Sequence, residues 1–436
     1  MNATVRDHAG RWRVAVTGMG VKTPAGCDLS TFTDTVFAGR PTAAKVTRFD
    51  VSGLASQIAC EVPGFDAEAY VSGKVLRRMD RCTQFGFNAA LDALADAGSP
   101  TVEPERAGIA FGSSYSGLQS AYEASTTALT SGARFVSPFL STMIMSNAPA
   151  AYLGLELGWH GPSATLATAC ATGTQILNVG AQMIRNGECD LVLAGAAEAN
   201  CQLLMATFST SGALSTRNDD PSVASRPFDD GRDGYVMGEG AACLVLERYD
   251  RALARRARIY AEVAGGAHTT DSHHISAPHP EGRWTGRCMA AAIADAGLLP
   301  ADIRQVNCHA TSTPLGDVAE ARALLAAFDG APPPVTGSKG VFGHLLGAAG
   351  AAEAVVSVLS AGNGLVPPTA GHSRLGPDCA GIDVVTGSVL NVGTGPVLSN
   401  SFGLGGQNAS IVFLPGGAGL GTADPCARRT NRGGAT

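Results

Sequence analysis

The sequence predicts an α/β fold of stacked layers, and three observations carry that expectation. Short apolar runs of strand length alternate with stretches of helical periodicity along nearly the whole chain, the order of layered α/β proteins rather than of separate β and α domains. The chain has 436 residues, 45% of them apolar and 16% charged, ample for a large core. Its 55 glycines and many alanines suit tight turns and helices lying close against sheets.

Taken in order, Arg13–Gly20 (RVAVTGMG) reads as an apolar strand ending in a glycine turn. It half-imitates a dinucleotide fingerprint, but Thr23-Pro24 stands where a third glycine and a helix should follow, so no nucleotide site is assigned there. Lys74–Gly98 reads as a basic segment leading into an amphipathic helix that Gly98 stops. Ala107–Gly112 is a second strand, followed by the polar, flexible run Ser113–Gly117. Ser163–Thr168 is β-compatible. From Thr174 the pattern turns helical, with Ile176, Leu177, Val179, Ala181 and Ile184 on one buried stripe. Asn186-Gly187 stops that helix, and Asp190–Gly195 is the next strand. Gly212–Gly240 is a long polar, turn-rich segment of the kind that shapes a site, and Ala241–Glu247 is another buried strand. Ile259–Gly265 begins a second half: strand, loop, a helix around Trp284–Ala296, then Val306 leading into a further motif. The expected division is 1–258, 259–415 and a Gly-rich, polar tail, 416–436, expected to be disordered.

Composition excludes several functions. A net charge of −6 argues against a general nucleic-acid binder. No apolar run approaches the ~18 residues a membrane span needs, and the N-terminus lacks the apolar core of a signal peptide; a cytoplasmic protein is expected. Eleven cysteines, with no CxxC pair, indicate neither a disulfide framework nor a zinc ribbon. Lysine is rare: only Lys22, Lys45, Lys74 and Lys339 occur, so a lysine in a motif carries weight.

Cys170 lies where a strand turns into a helix. A helix start offers free N–H groups and the positive end of a dipole, which favour a thiolate and lower its pKa; the alternative is a small apolar residue that merely packs. What lies downstream decides. Val306–Asp317 puts His309 just after a strand, among hydroxyls. Gly337–Glu353 contributes Lys339 and His344 before a small-residue helix. Leu398–Asn408 is a glycine loop whose backbone N–H groups suit an oxyanion, and Asp271–Pro278 is a polar loop. A cysteine nucleophile, two histidines, a rare lysine and an N–H donor loop fit covalent acyl transfer. His268, His273, His274 and His279 crowd one region, but their spacing matches no standard metal site.

The segments ATACATGTQ, CHATSTPLGD, GSKGVFGHLLGAAG and NSFGLGGQNAS resemble the four signature blocks of the β-ketoacyl-acyl carrier protein synthases, most closely the elongating KAS II type of fatty-acid and polyketide synthesis. RVAVTGMGVKTPAG, Lys74–Asp80, Gly212–Ala241 and Asp271–Pro278 match as well, so the resemblance runs in order from Arg13 to Leu414. It implies the thiolase fold, a layered α/β/α/β/α body of two duplicated halves, the first carrying Cys170 and the second His309, Lys339 and His344. It implies that Cys170 takes an acyl chain from a carrier's phosphopantetheine, that no cofactor is tightly bound, and that the partners are an acyl carrier protein and a second ketosynthase-like subunit, identical or related. His309 and His344 would assist malonyl decarboxylation, with Lys339 supporting them and pairing with Glu353. The N–H groups of Cys170 and Leu404 would form the oxyanion hole, Phe402 standing with Leu404 in the gate. Thr311, Thr313 and Ser276 match positions along the pantetheine tunnel, which the histidine-rich loop would face. Asn307, Glu353, Ser399 and Asn400 match positions that hold a monovalent cation in relatives. Lys74, Arg77, Arg78 and Arg217 form a candidate docking rim for an acidic carrier, or a solvated helix face.

The sequence also departs from the family pattern. Ala310 stands in place of a glycine, harmless if its φ is negative. Leu404 replaces a phenylalanine and Gln407 a threonine. Tyr115 stands where a smaller apolar residue lines the acyl pocket, which implies short, unsaturated or aromatic chains and a specialised pathway. Two other functions share the fold: a non-catalytic partner of the chain-length-factor kind, which typically lacks the nucleophile, and an acyltransferase forming an ester or amide, which has no use for both histidines.

Overall fold

The computed structural model describes residues 5–416, so the tail expected to be disordered lies, except for Gly416, outside the described residues. Ten strands hydrogen-bond in one row: Val335–Thr336, Gln305–Asn307, Val397–Gly403, Gln407–Pro415, Ala261–Thr270, Val14–Lys22, Gly240–Arg248, Leu191–Glu198, Ala107–Gly112 and Ser163–Ala164. Numbered by chain order within each group of five, both groups run 3-2-4-5-1 from the outer edge to the centre, with the same parallel and antiparallel pairs. The two first strands meet antiparallel in the middle, Val14 to Val263, Ala15 to Glu262 and Val16 to Ala261. The duplication is thus visible in the sheet itself.

Helices complete the layers. Arg81–Asp96 packs on the outer side of the first half, and Arg283–Asp295 with Pro314–Ala327 on the outer side of the second. Thr172–Arg185 and Ala349–Asn363 lie together in the middle and touch strands of both halves. Strand residues are apolar on both faces, as a sheet covered on both sides requires. Leu191 and Leu193 face the outer helix while Val192 and Ala194 face the central core; Val412 and its neighbours Ile411 and Phe413 divide likewise in the second half.

Two glycine pairs set how closely these layers approach. A Cβ on Gly20 would lie 2.0 Å from the carbonyl oxygen of Ala89, and one on Gly18 2.3 Å from that of Ala93. The fingerprint-like glycines of the first strand therefore seat a helix backbone and bind no phosphate. In the middle layer, a Cβ on Gly173 would lie 2.5 Å from the Ala351 nitrogen and one on Gly350 2.6 Å from the Thr174 nitrogen. The two central helices touch backbone to backbone at their N-terminal ends.

One expected strand is shorter than its sequence. Ser163–Thr168 pairs only at Ser163–Ala164, because the Thr168 N–H turns to donate to the Thr172 hydroxyl (2.8 Å) instead of continuing the ladder. That turn is what presents Cys170. The segment 212–240 is turn-rich as expected, yet from Ala224 to Phe228 and again from Tyr235 it is buried.

Candidate active site

Cys170 sits between the turn and the helix Thr172–Arg185. Ala169 before it adopts φ +48°, and its carbonyl accepts from the Thr172 hydroxyl (2.7 Å) and the Ser114 hydroxyl (2.8 Å). His309 follows the strand Gln305–Asn307 in a loop gripped by the helix Pro314–Ala327. There Glu320 accepts the N–H groups of His309 (2.8 Å) and Ala310 (2.7 Å), and Asp317 accepts those of Ser312 (3.0 Å) and Phe228 (2.7 Å). Lys339 opens the short helix Lys339–Phe342; Gly343, at φ +69°, then turns the chain to His344. The His344 backbone is clamped by the segment before Gly240: its N–H donates to the Val236 carbonyl (2.8 Å), and its carbonyl accepts from Gly238 (2.9 Å).

These elements bring one atom each of Cys170, His309 and His344 within 4.8 Å of one another. His344 Nε2 is 3.0 Å from Cys170 Sγ, and the two imidazole centres are 5.4 Å apart. Lys339, fully buried, reaches His309 Nδ1 (3.3 Å), the His309 carbonyl (2.5 Å) and Glu353 Oε1 (2.5 Å). An ammonium only donates, so His309 Nδ1 accepts and its proton resides on Nε2. Leu404 lies at the tip of the hairpin joining Val397–Gly403 to Gln407–Pro415. Its N–H and that of Cys170 both bear on the Cys170 sulfur. A side chain on Gly403 would lie 2.7 Å from the Thr168 carbonyl and 3.0 Å from the Cys170 nitrogen, so glycine is what lets the hairpin come this close.

The electrostatics correct one expectation. Burial pushes the Cys170 thiol up to about 11, outweighing the Lys339 charge and the Leu404 N–H that pull it down. The helix start does not make a resting thiolate; desolvation wins. Burial, and then the Lys339 charge, hold both His309 and His344 well below the usual histidine range, so both are neutral. Ala310 does not meet the condition under which it would be harmless: its φ is +40°, and its strained backbone is held by Glu320.

A cavity of about 660 Å³ opens over the cysteine. Thr311, Thr313 and Ser276 line it, with Tyr115, Phe402 and Leu404. The Thr311 and Thr313 hydroxyls bond each other (2.9 Å), and Thr313 caps the helix Pro314–Ala327. Tyr115 stands edge-on to Phe208, which stands edge-on to Tyr235, which stands edge-on to His344. Lys74 and Arg77 are exposed; Arg78 is half-buried and stacks on Phe139 (4.3 Å). Arg217, exposed, stands beside Asp233 and donates to the Gly231 carbonyl.

Two groups bear on metals. Buried Asn307 Oδ1, Glu353 Oε2 and Ser399 Oγ have no hydrogen-bond partner among the described residues, which fits a monovalent cation. Asn400 fits less well, since its side-chain oxygen accepts from Ser410 (2.8 Å). The Cys170, His309 and His344 cluster has donor atoms close enough for a metal, but the Lys339 ammonium beside it opposes a second cation. Of the histidine-rich region, His273 and His279 approach each other, their rings 5.1 Å apart.

Sequence reasoning missed Glu198 and Tyr235. Glu198 accepts from the Ser113 hydroxyl (3.0 Å) and the N–H groups of Ser114 (3.0 Å), Tyr115 (2.9 Å) and Gly347 (3.1 Å), tying the pocket loop to the chain after His344. Burial pushes its carboxyl up to about 7. The signal was a carboxylate closing the apolar run LVLAGAAE.

Comparison with known proteins agrees with this geometry. Residues 11–252 match the model of the beta-ketoacyl synthase N-terminal domain and 260–373 that of its C-terminal domain. The 3-oxoacyl-[acyl-carrier-protein] synthase 2 of Staphylococcus aureus is 39% identical over 406 residues, 92% of this chain and 98% of the relative. Among solved structures, the ishigamide ketosynthase/chain length factor superposes with a TM-score of 0.88 at 34% identity, over 93% of this chain and all of that one. The type II polyketide complex AntDE:AntF, an acyl carrier protein with its ketosynthase bound to the hexaketide, superposes at 0.86 and 28% identity, over 93% and 100% of the two chains. Fold, site and matched length together make this chain a member of the beta-ketoacyl synthase family.

Proposed function

We propose that the protein is a β-ketoacyl-acyl carrier protein synthase that condenses an acyl group on Cys170 with malonyl carrier, giving 3-oxoacyl carrier and CO2. The observation that carries it is the convergence of Cys170, His309 and His344 within 4.8 Å at the base of one cavity. In the first step the incoming thioester carbonyl takes the N–H groups of Cys170 and Leu404. The Cys170 sulfur attacks, its proton leaves with the departing carrier sulfur, and acyl-Cys170 and a free carrier thiol result, while the Nε2–H of His344, 3.0 Å from the Cys170 sulfur, steadies the charge developing there. A high thiol pKa suits this concerted transfer. In the second step, Nε2–H groups of His309 and His344 hold the malonyl thioester oxygen as CO2 leaves, and the C–C electron pair becomes the enolate. The enolate carbon attacks the acyl carbonyl, and Cys170 leaves as thiolate and regains a proton. Lys339 keeps both histidines neutral donors and supplies positive potential for the enolate.

Thr311, Thr313 and Ser276 line the path for the phosphopantetheine arm. Asn307, Glu353 and Ser399 would hold a monovalent cation, whose charge would steady the second-half loops behind Lys339. Lys74, Arg77 and Arg78, with Arg217, would receive the acidic carrier. The AntDE:AntF title, which pairs a ketosynthase with its carrier, supports that partner. A second ketosynthase-like subunit, identical or related, would cover the apolar face between Leu118 and Ala164. Such a pathway would run in the cytoplasm; no helix of the described residues is long and apolar enough to cross a membrane. Tyr115 narrows the acyl pocket and favours short, unsaturated or aromatic chains in a specialised pathway.

Intact-protein mass spectrometry with a series of acyl carriers, with and without malonyl carrier, tests the reading. An acyl adduct absent from Cys170→Ala and discharged by malonyl carrier into a 3-oxoacyl product is expected. Discharge only by an alcohol or amine would make the protein an acyltransferase, absence of any adduct a partner subunit, and a best donor of palmitoyl length would refute the short-chain pocket.

A further inference from the structure

Two residues beside the site hold strained backbone. Ala169, just before Cys170, has φ +48°, and Leu346, two residues after His344, has φ +49°, the left-handed region that L-residues rarely take. Such strain persists only where the surroundings over-determine it, and it gathers at functional sites. Both residues lead back to one side chain that takes no part in the bond-making steps. The Ala169 carbonyl accepts from the Ser114 hydroxyl (2.8 Å), and the Ser114 N–H donates to Glu198 Oε2 (3.0 Å). The Gly347 N–H, which belongs to the peptide following Leu346, donates to the same oxygen (3.1 Å).

Glu198 is 1% exposed and closes the strand Leu191–Glu198. Its other oxygen accepts from the Ser113 hydroxyl (3.0 Å) and the Tyr115 N–H (2.9 Å), so four neutral donors fill the acceptor sites of the carboxylate. The segments it gathers lie close. A Cβ on Gly347 would stand 2.5 Å from the Ser114 hydroxyl oxygen and 2.7 Å from Glu198 Oε2. Ser114 belongs to the half that carries Cys170, and Gly347 to the half that carries His344. One oxygen therefore receives both halves, behind a contact in which His344 Nε2 stands 3.0 Å from Cys170 Sγ.

We propose that Glu198 is a positioning residue for the condensation: through Ser114 on one side and Gly347 on the other, it sets the spacing between the Cys170 sulfur and His344 Nε2. The proposal rests on the condensing-enzyme reading and adds a residue to it. The reach of the side chain carries this role, not its charge. Aspartate keeps the charge but draws the oxygens back by one methylene, so it cannot hold Ser114 and Gly347 at the same spacing. Glutamine keeps the reach: its amide oxygen takes both N–H groups while its NH2 turns to the Ser113 hydroxyl.

The test follows acylation of Cys170 in single turnovers read by intact mass, using the acyl carrier that wild type takes fastest. Wild type, Glu198→Asp, Glu198→Gln and Ser114→Ala are compared. Three quantities are separated: the limiting rate, the carrier concentration that gives half of it, and the fraction of Cys170 acylated at the end. Glu198→Asp should lose roughly tenfold in limiting rate, Ser114→Ala a few-fold, and Glu198→Gln the least. The half-maximal concentration and the final fraction should keep their wild-type values. A side chain that only stabilised the fold would lower the final fraction and leave the rate of the intact molecules alone. Should Glu198→Asp not fold, Ser114→Ala decides, since it removes one hydroxyl and leaves the carboxylate in place. An unchanged limiting rate in Glu198→Asp or Ser114→Ala, a greater loss in Glu198→Gln than in Glu198→Asp, or a loss confined to the final fraction overturns the proposal while leaving the condensing enzyme intact. No adduct in wild type from any donor overturns the condensing reading itself.

Discussion

At φ +40°, Ala310 occupies backbone territory that costs an L-residue about 1–2 kcal/mol. The Glu320 carboxylate holds it there by its N–H, next to His309. Ala310→Gly removes that strain but adds freedom to the unfolded chain, so a net gain of about 1 kcal/mol at most is expected, with Cys170 acylation retained. Thermal melting checks it, and a lower melting temperature would refute the strain. The Cys170 thiol makes a second residue-scale prediction. With its pKa raised to about 11, the thiolate fraction rises with pH throughout the neutral range. Iodoacetamide labelling should therefore accelerate about tenfold per pH unit from about pH 6 to about pH 9, and a plateau near neutrality would show a thiolate already formed. Cys170, His309, Lys339 and His344 were legible in sequence because each stands in a short motif that carries its own turn. Tyr235 and Glu198 were not: the Glu198 donors lie 83 to 149 residues away in the chain, and the Tyr235 ring meets His344 only once distant segments are packed.

Among the elements, the two central helices matter most to the site. One starts just after Cys170, the other just after His344, and Gly173 and Gly350 let their backbones touch. Gly350→Ala would set a methyl 2.4 Å from the Thr174 hydroxyl oxygen and 2.6 Å from its nitrogen, and the helices would have to part. A loss of about 1–3 kcal/mol is expected. Acylation should fall at least about tenfold while far-UV circular dichroism stays native, because an ångström between His344 and Cys170 matters more to the attack than to helix content. Full acylation in this variant would show that the spacing is dispensable. The long strands and the amphipathic helices were readable from periodicity. The two-residue strand Val335–Thr336 was not, since it exists only through its parallel partners, and the run from Ser163 was readable as a strand but not its early end at Ala164.

At the scale of the whole molecule, one stretch of chain keeps several apolar side chains exposed. Leu129 is 88% exposed, Leu155 82% and Phe135 57%, all within the stretch that ends at the edge strand Ser163–Ala164. Exposed apolar side chains beside an open strand edge mark an interaction surface. Light scattering should find a dimer for wild type and a monomer for Leu155→Glu with Phe135→Ser; a monomeric wild type at micromolar concentration, or an unchanged dimer in the variant, would reject the face. Docking of the carrier is read separately. Charge reversal at Arg77 and Arg78 should raise KM for the carrier-borne substrate several-fold, and less so at high salt. An unchanged, salt-independent KM would leave these arginines as a solvated surface. The layered architecture was legible from the alternation of strand and helix, whereas the face was not, because exposure depends on the packing of distant segments.

The join between the halves has a consequence for how damage to this protein would be noticed. Cys170 belongs to one copy of the repeated unit and His309, Lys339 and His344 to the other, while the sheets themselves meet through only the three pairs from Val14 to Val16. Each copy has its own strand ladder and outer helix, whereas the site needs both copies in register. Acylation of Cys170 is therefore a gauge of alignment between the copies, and it would report a loosened joint before any probe of helix or strand content registered a change.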